Sequence, residues 1–252
     1  DRAIGFYDAT RELPAEVLVG GLPAILQAAG DHAKILDVGT GSGRISVPLL
    51  RLGANLVGCD ISLKMMGLLH EKHPSACLAQ ADASCLPFAD GFFDAVLTCH
   101  VMHVVGPWRL ALAEFRRVLK PRGIYINAYT ERDQTSPRLR IRSEWRKILA
   151  GYGVHESRPG ARNALELREG LRQMGAECQE NPLVQFERSY TIRSVVDGIA
   201  RRVYSGSWDI PEDVFRVSLQ DFLAWVDREY PDQNQVFIEK SCFNLDLTRF
   251  DA

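Results

Sequence analysis

From residue 34 to about 129, short apolar runs alternate with stretches whose apolar residues recur at helical spacing. The runs 34–38, 55–59, 76–79, 93–99 and 124–129 are brief and rich in Val, Ile and Leu, the texture of strands buried on both faces. Between them lie three amphipathic stretches, 44–52, 62–72 and 108–119. In the last, Leu110, Leu112, Phe115, Val118 and Leu119 fall mostly on one helical face. Strand and helix alternating at this length predict a parallel sheet with right-handed crossovers. Pro48 lies inside the first of these helices and implies a kink or a late helix start.

Beyond Thr130 the pattern changes. Residues 131–174 carry many Arg and Glu with scattered Trp145, Ile148 and Leu149, which reads as surface helices. Two β-like runs follow, 177–190 and 235–250, the second alternating through Phe237, Glu239, Phe243, Leu245 and Leu247. The helical segment between them, 191–230, holds Val195, Val196, Ile199, Val203, Trp208, Val214, Leu219, Phe222 and Trp225 and has the size of a cap. The expected organisation is an N-terminal helical lid segment over 1–30, a core over 31–190 and 231–252, and a cap insertion over 191–230.

The 252 residues suit one α/β unit with an insertion, and 46% apolar with 25% charged residues is ordinary globular composition. A formal net charge of -2 offers no general field for a polyanion, so no nucleic-acid partner is expected. The longest mostly apolar stretch, 17–30, is broken by Pro23 and Gln27 and too short to cross a bilayer. Six cysteines without a C-x-x-C pair, and no histidine completing a zinc spacing, predict no metal. They read as buried reduced thiols in a cytoplasmic protein.

The chemistry concentrates in Ile35-Leu-Asp-Val-Gly-Thr-Gly-Ser-Gly-Arg-Ile45. A strand ends here in Gly39, Gly41 and Gly43, where the backbone can turn sharply and let a ligand press close. Asp60 ends the next strand, 21 positions after Gly39, where an acid can accept both hydroxyls of a ribose. No Gly-Lys-Ser/Thr follows, so the turn is not a P-loop. Counting G-x-G-x-x-G from Gly39 meets Arg44, and from Gly41 meets Ser46, so the dinucleotide pattern fails in both registers. Asp37, two residues before Gly39, suits a cation such as an α-ammonium group better than a phosphate.

These residues resemble the class I S-adenosylmethionine-dependent methyltransferases, in particular the small-molecule branch that includes the ubiquinone and menaquinone biosynthesis enzymes. The stretch from Ile35 to Gly43 is similar to their first motif, Asp60 to their ribose acid, and Ala81-Asp-Ala83 to their adenine turn. Leu86-Pro-Phe-Ala-Asp-Gly-Phe-Phe-Asp94 and Leu119-Lys-Pro-Arg-Gly123 resemble the stretches before their fourth and fifth strands. The likeness covers about 34–129, with a weaker one at Phe6-Tyr-Asp-Ala-Thr-Arg11. It implies a Rossmann-like, doubly wound, mostly parallel seven-stranded sheet with an antiparallel last strand. It also implies S-adenosylmethionine as cofactor and a small organic acceptor, methylated on oxygen, nitrogen or carbon.

By that resemblance Gly39 and Gly41 pass the methionine portion, with Thr40 and Gly43 completing the turn. Asp60 holds the ribose, Asp82 and the Ala83 amide read the adenine edge, and Ile61 and Met65 cover its face. Tyr7 and Arg11 could fold over the donor, and Cys99 at the end of the fourth run borders it. After that run come His100 and His103, one helical turn apart, which could take a proton from a hydroxyl acceptor or simply pack. Trp145, Tyr204, Trp208 and Trp225 could line an apolar acceptor pocket or form the cap's own core. Arg201-Arg202 reads as a solvated face. The Arg-rich stretch 132–146 could contact an acidic acceptor, although Glu131, Asp133 and Glu144 dilute its charge. Two rival functions stay open: a nicotinamide oxidoreductase, opposed by the failed glycine pattern, and a non-catalytic donor-binding module. An RNA methyltransferase is opposed by the balanced charge and the lack of an Asn/Asp-Pro-Pro-Tyr/Phe motif. A monomer and a homodimer are both compatible with the sequence.

Overall fold

The five apolar runs of the first half all form strands, and four have buried interiors; the run at 76–79, at the sheet edge, holds no fully buried residue, contrary to the expectation of strands buried on both faces. The computed structural model describes residues 12–155, 159–207 and 210–250. A π-helical turn, Val17–Gly21, leads into α1 (Leu22–Ala29). Then β1 (Lys34–Val38), α2 (Ser46–Arg51), β2 (Asn55–Asp60), α3 (Leu63–Lys72), β3 (Cys77–Gln80), β4 (Phe93–Cys99), α4 (Trp108–Val118) and β5 (Leu119–Arg132) alternate. The helix after β1 starts late, which puts Pro48 in its first turn, where it costs no internal hydrogen bond. The chain closes with α5 (Pro137–Gly151), α6 (Ala164–Gln173), β6 (Ala176–Thr191), α7 (Ile192–Ala200), α8 (Glu212–Glu229) and β7 (Val236–Phe250).

The strands make one seven-stranded sheet in the order β3-β2-β1-β4-β5-β7-β6. Strands β1 to β5 pair in parallel, and β7 runs antiparallel to both β5 and β6. The expected Rossmann-like sheet with an antiparallel last strand is present. One apolar layer packs Trp108, Leu112, Phe115, Leu167 and Leu171 on the sheet, and another packs Ile25, Ile45, Leu49, Ile126 and Phe243.

Three departures from the sequence expectation matter for the site. First, β5 continues to Arg132, because Glu131 and Arg132 find partners in Cys242 and Ser241 of β7. Residues 131–174 are therefore not simply surface helices: Ile141, Trp145 and Leu149 are buried, as are Leu167 and Leu171. Second, α5 joins α7 and α8 in a third apolar cluster around Trp145, Ile199, Phe215 and Phe222. Third, residues 236–240 of β7 pair only with 187–191 of β6, past the end of β5. This two-stranded ribbon leads into α7. The strand β6 is the outer edge of the sheet, and its register shifts between Pro182 and Val184.

The cysteines are free, but Cys77 and Cys85 are exposed, contrary to the expectation of uniformly buried thiols. Nor is Arg202 solvated as expected. Its guanidinium lies 3.9 Å from the Phe215 ring centroid and 3.3 Å from Glu212. Among the described residues no helix is long and apolar enough to cross a membrane, and no cluster of His, Cys, Asp and Glu could hold a metal.

Candidate active site

The turn after β1 is built from three glycines at positive φ, 75° at Gly39, 55° at Gly41 and 83° at Gly43. The outer two are also required by packing. A Cβ on Gly39 would stand 2.4 Å from Val101, and one on Gly43 would meet Val47 at 2.6 Å and Leu69 at 2.7 Å. The middle glycine is under no such packing demand, since a Cβ on Gly41 would meet Met65 Cε at 3.7 Å, an ordinary contact distance. The turn is pinned from β2. Gly39 and Thr40 amides donate to the Cys59 carbonyl at 2.8 and 3.0 Å, and the Asp60 carboxylate accepts from the Gly41 and Ser62 amides, each at 2.9 Å.

Asp37 lies beneath this turn, not on its open face. It is 2% exposed and accepts a hydrogen bond from Ser46, which is itself bonded to Thr40. Burial pushes its carboxyl up to about 6; the bonds from Ser46 and Thr40 work against that, and the Asp60 charge adds a little.

Ile61 follows Asp60 with 67% of its surface exposed, and half-buried Met65 sits one helical turn further on. At the end of β3, Asp82 and Ala83 form a short turn tied to β2 by the Ala81 amide on the Asp60 carbonyl. Asp82 Oδ1 accepts from the Ser84 amide and hydroxyl, which holds the carboxyl below its usual range. Cys99 ends β4 with its thiol pushed up to about 11 by burial, against the nearby Arg44 charge. All these groups sit at the carboxyl ends of adjacent parallel strands, where open α/β sheets bind ligands. Tyr7, Arg11 and Trp208 lie outside the described residues.

His100 takes a left-handed backbone, φ 55°, a costly conformation for a residue with a Cβ. Its Nε2 is 3.2 Å from the Thr130 hydroxyl, and its amide donates to the Ala128 carbonyl. His103 is exposed and not one helical turn on, because 102–104 form a turn and α4 begins only at Trp108. Both histidines line a cavity of about 790 Å³ beyond the ends of β4 and β5. Its apolar wall includes Met102, Trp145, Leu149, Leu167, Ile199 and Tyr204. Of the four aromatic candidates, Trp145 and Tyr204 therefore face it, whereas Trp225 stacks on Phe222 in the helical cluster. Val101 lines the cavity and presses on Gly39, so one side chain joins the acceptor space to the donor turn.

Sequence reasoning missed several polar lining residues. Asn127 and Thr130 bring amide and hydroxyl groups into the wall from β5, and a polar Asn inside an apolar strand run was the available signal. One wall closes because the amides of Gly160 and Ala161 donate to the carbonyls of His103 and Met102. A Cβ on Gly160 would be 2.0 Å from the Met102 oxygen, so only glycine permits that approach.

The family model described as "Methyltransferase domain" matches residues 36–127. A demethylmenaquinone methyltransferase of Beutenbergia cavernae is 37% identical over 189 residues, 73% of this chain and 70% of that protein. One of the same name from Streptomyces avermitilis is 42% identical over 90 residues, 36% of this chain but only 39% of its own length. A bifunctional biotin biosynthesis protein of Cellvibrio japonicus is 29% identical over 70% of this chain and 34% of its own length. This chain thus spans well under half of the last two relatives. Among solved structures, a Bacillus halodurans protein assigned as a methyltransferase aligns with TM-score 0.60 and 16% identity, over 92% of this chain and 99% of its own. That likeness concerns the fold.

Proposed function

The chain belongs to the class I S-adenosylmethionine-dependent methyltransferases, and from that membership we propose that it moves a methyl group from S-adenosylmethionine to a small organic acceptor. The observation that carries the reading is the Gly41 turn, where a ligand could approach the backbone without a side chain in its way. The Gly41 amide is held by Asp60, and Val101 connects the turn to the cavity. The residues present fit an adenosyl group. Asp60 uses each carboxylate oxygen for one backbone amide and keeps lone pairs for ribose hydroxyls. Exposed Ile61 and half-buried Met65 offer an apolar face for an adenine, and the Asp82–Ala83 turn would hold its polar edge.

Bound in this cradle, S-adenosylmethionine supplies a methyl group activated by the sulfonium charge. The chain's own contribution is position and exclusion of water: aligned reactants gain on the order of 7–11 kcal/mol. His100 stands where the acceptor must enter, and its bond to Thr130 fixes the ring, so that the imidazole can take a proton from a hydroxyl acceptor. His103, on the exposed rim of the same cavity, borders the entrance. The relatives' names favour a small molecule as acceptor over a macromolecule.

Calorimetry with S-adenosylmethionine and NADH tests the donor. Asp60→Ala should weaken S-adenosylmethionine binding by about 1.5–3 kcal/mol, the range for hydrogen bonds to a charged group. Thermal unfolding of the same variant separates that loss from loosening of the turn. Unchanged affinity would remove Asp60 from the ribose, and tight NADH binding by the unmodified chain would overturn the donor. For a hydroxyl acceptor, His100→Ala should lose roughly 10²- to 10⁴-fold in turnover while donor affinity survives.

A further inference from the structure

The charges around the acceptor cavity are unbalanced. Its described lining carries Arg132, Arg142, Arg146 and Arg162 but a single acid, Glu131. Arg162 is paired with Glu166 at 3.1 Å, and Arg142 lies 4.4 Å from the Tyr204 ring centroid. Directly behind His100, Thr130 and Arg132 runs a second crevice of about 40 Å³, lined by Arg44, Arg132, Arg138 and Arg188 with Glu239.

Glu239 is 1% exposed and accepts from the Ser136 hydroxyl at 2.9 Å. Arg132 and Arg138 both approach its other oxygen, each at 3.8 Å, too far for a close fork. One buried carboxylate therefore serves two guanidinium groups loosely, with Arg188 directly across the ribbon from it. Burial holds Arg132 below its ordinary range, and the charges of Arg142, Arg138 and Arg188 add to that against Glu239. Arg188 is depressed in the same way, by burial and then by Arg44 and Arg138. Such crowding costs free energy unless an anion joins it.

We propose that the acceptor is an amphipathic organic anion, its apolar body against Trp145, Leu149 and Leu167 and its oxyanion on Arg132 and Arg142. This rests on the methyl-transfer reading, and it names the substrate class of that same site. The cavity is far larger than an inorganic anion needs, and Arg142 lines it from the same helix as Trp145 and Leu149, so a molecule that meets the guanidinium also meets the apolar side chains. A guanidinium fork recognises carboxylate and phosphate alike. Placed so, the reacting end of the molecule lies near His100 and Val101, next to the donor turn.

The test uses the full chain saturated with S-adenosylhomocysteine, whose own affinity is measured first. Octanoate, octyl phosphate and the neutral octanamide are then titrated by calorimetry. At least one anion should bind roughly 10-fold or more tightly than octanamide, the size of a charged hydrogen bond. The comparison of octanoate with octyl phosphate tells which oxyanion the arginines prefer. Arg132→Gln and Arg142→Gln, made separately so that one folding failure does not decide the matter, should each erode that preference. Arg142→Lys should restore part of it, and S-adenosylhomocysteine affinity should hold throughout. Equal binding of anion and amide, a preference that survives both substitutions, or no anion binding at millimolar concentration would overturn the proposal. Failure of S-adenosylhomocysteine to bind would instead count against the donor assignment, because the anion preference can still be read without it.

Discussion

Burial opposes the charge of Asp37. Its carboxyl, at about 6 in the folded chain against 3.8 for the free group, binds a proton more tightly when folded than when unfolded. Stability must then fall as pH rises between those two values and level off above them, a loss of about 3 kcal/mol at 1.36 kcal/mol per unit. Asp37→Asn keeps an oxygen for Ser46 without the charge. Urea midpoints should show the variant more stable than the natural chain at about pH 8 and with little slope between about pH 4 and about pH 6. A variant less stable at the higher pH would mean that the Ser46 and Thr40 bonds outweigh burial. At this scale the donor turn was legible in the sequence, because positive φ at Gly39, Gly41 and Gly43 fixes residue type position by position. The Arg-rich stretch 132–146 was singled out in the sequence as able to meet an acidic acceptor, but its company with Arg44 and Arg188 was not legible, because those residues meet it only after strands from both ends of the chain pair.

The stretch before β4 is held by one side chain of α4. Arg117 donates to the carbonyls of Leu86 and Phe88 and pairs with Glu114 and Asp90 at 2.7 Å. Glu114 also accepts the Leu86 amide. This knot links α4 to the turn carrying Asp82 and Ala83. Arg117→Met keeps the packing of the stem but orphans two carbonyls and a half-buried carboxylate. It should cost about 1–3 kcal/mol in chemical unfolding, with the lower end more apt since Arg117 is 31% exposed and partly screened. Wild-type stability in the variant would show that water replaces the guanidinium freely. Among elements, β1 to β4 were legible from short, mostly apolar runs. The extension of β5 was hidden because its last residues, Glu131 and Arg132, are polar and held by cross-strand pairing. The burial of α5 was readable after all: Ile141, Trp145 and Leu149 recur every fourth residue among arginines.

On the scale of the whole molecule, two apolar layers share the sheet, while the third cluster, around Trp145 and Phe222, stands apart from both. It is mounted on α5 and on the ribbon where β6 and β7 pair without β5. Such a unit should open at lower free energy than the central strands. Hydrogen exchange should find the amides of α7 and α8 exchanging by local opening, and those of β4 and β5 only by global unfolding. Adding S-adenosylhomocysteine should slow exchange in 192–207, which reaches the cavity, more than in the far end of α8. Equal protection of α8 and β4 would make the chain one cooperative unit. The segment between β6 and β7 was legible as helical, but its partnership with α5 depends on contacts that no local pattern encodes.

The edge position of β6 has a consequence for solubility. A free strand of 16 residues is an open template on which a second copy of the chain could add its own strand. The register shift at Pro182 interrupts that template near its middle, and proline offers no amide there. Glu177, Glu180, Glu187 and Arg188 place charges along the rest. The proline and bulge that look like an imperfection of the hairpin are thus devices of the kind that blunt an exposed edge against strand addition, here on the longest of the described strands.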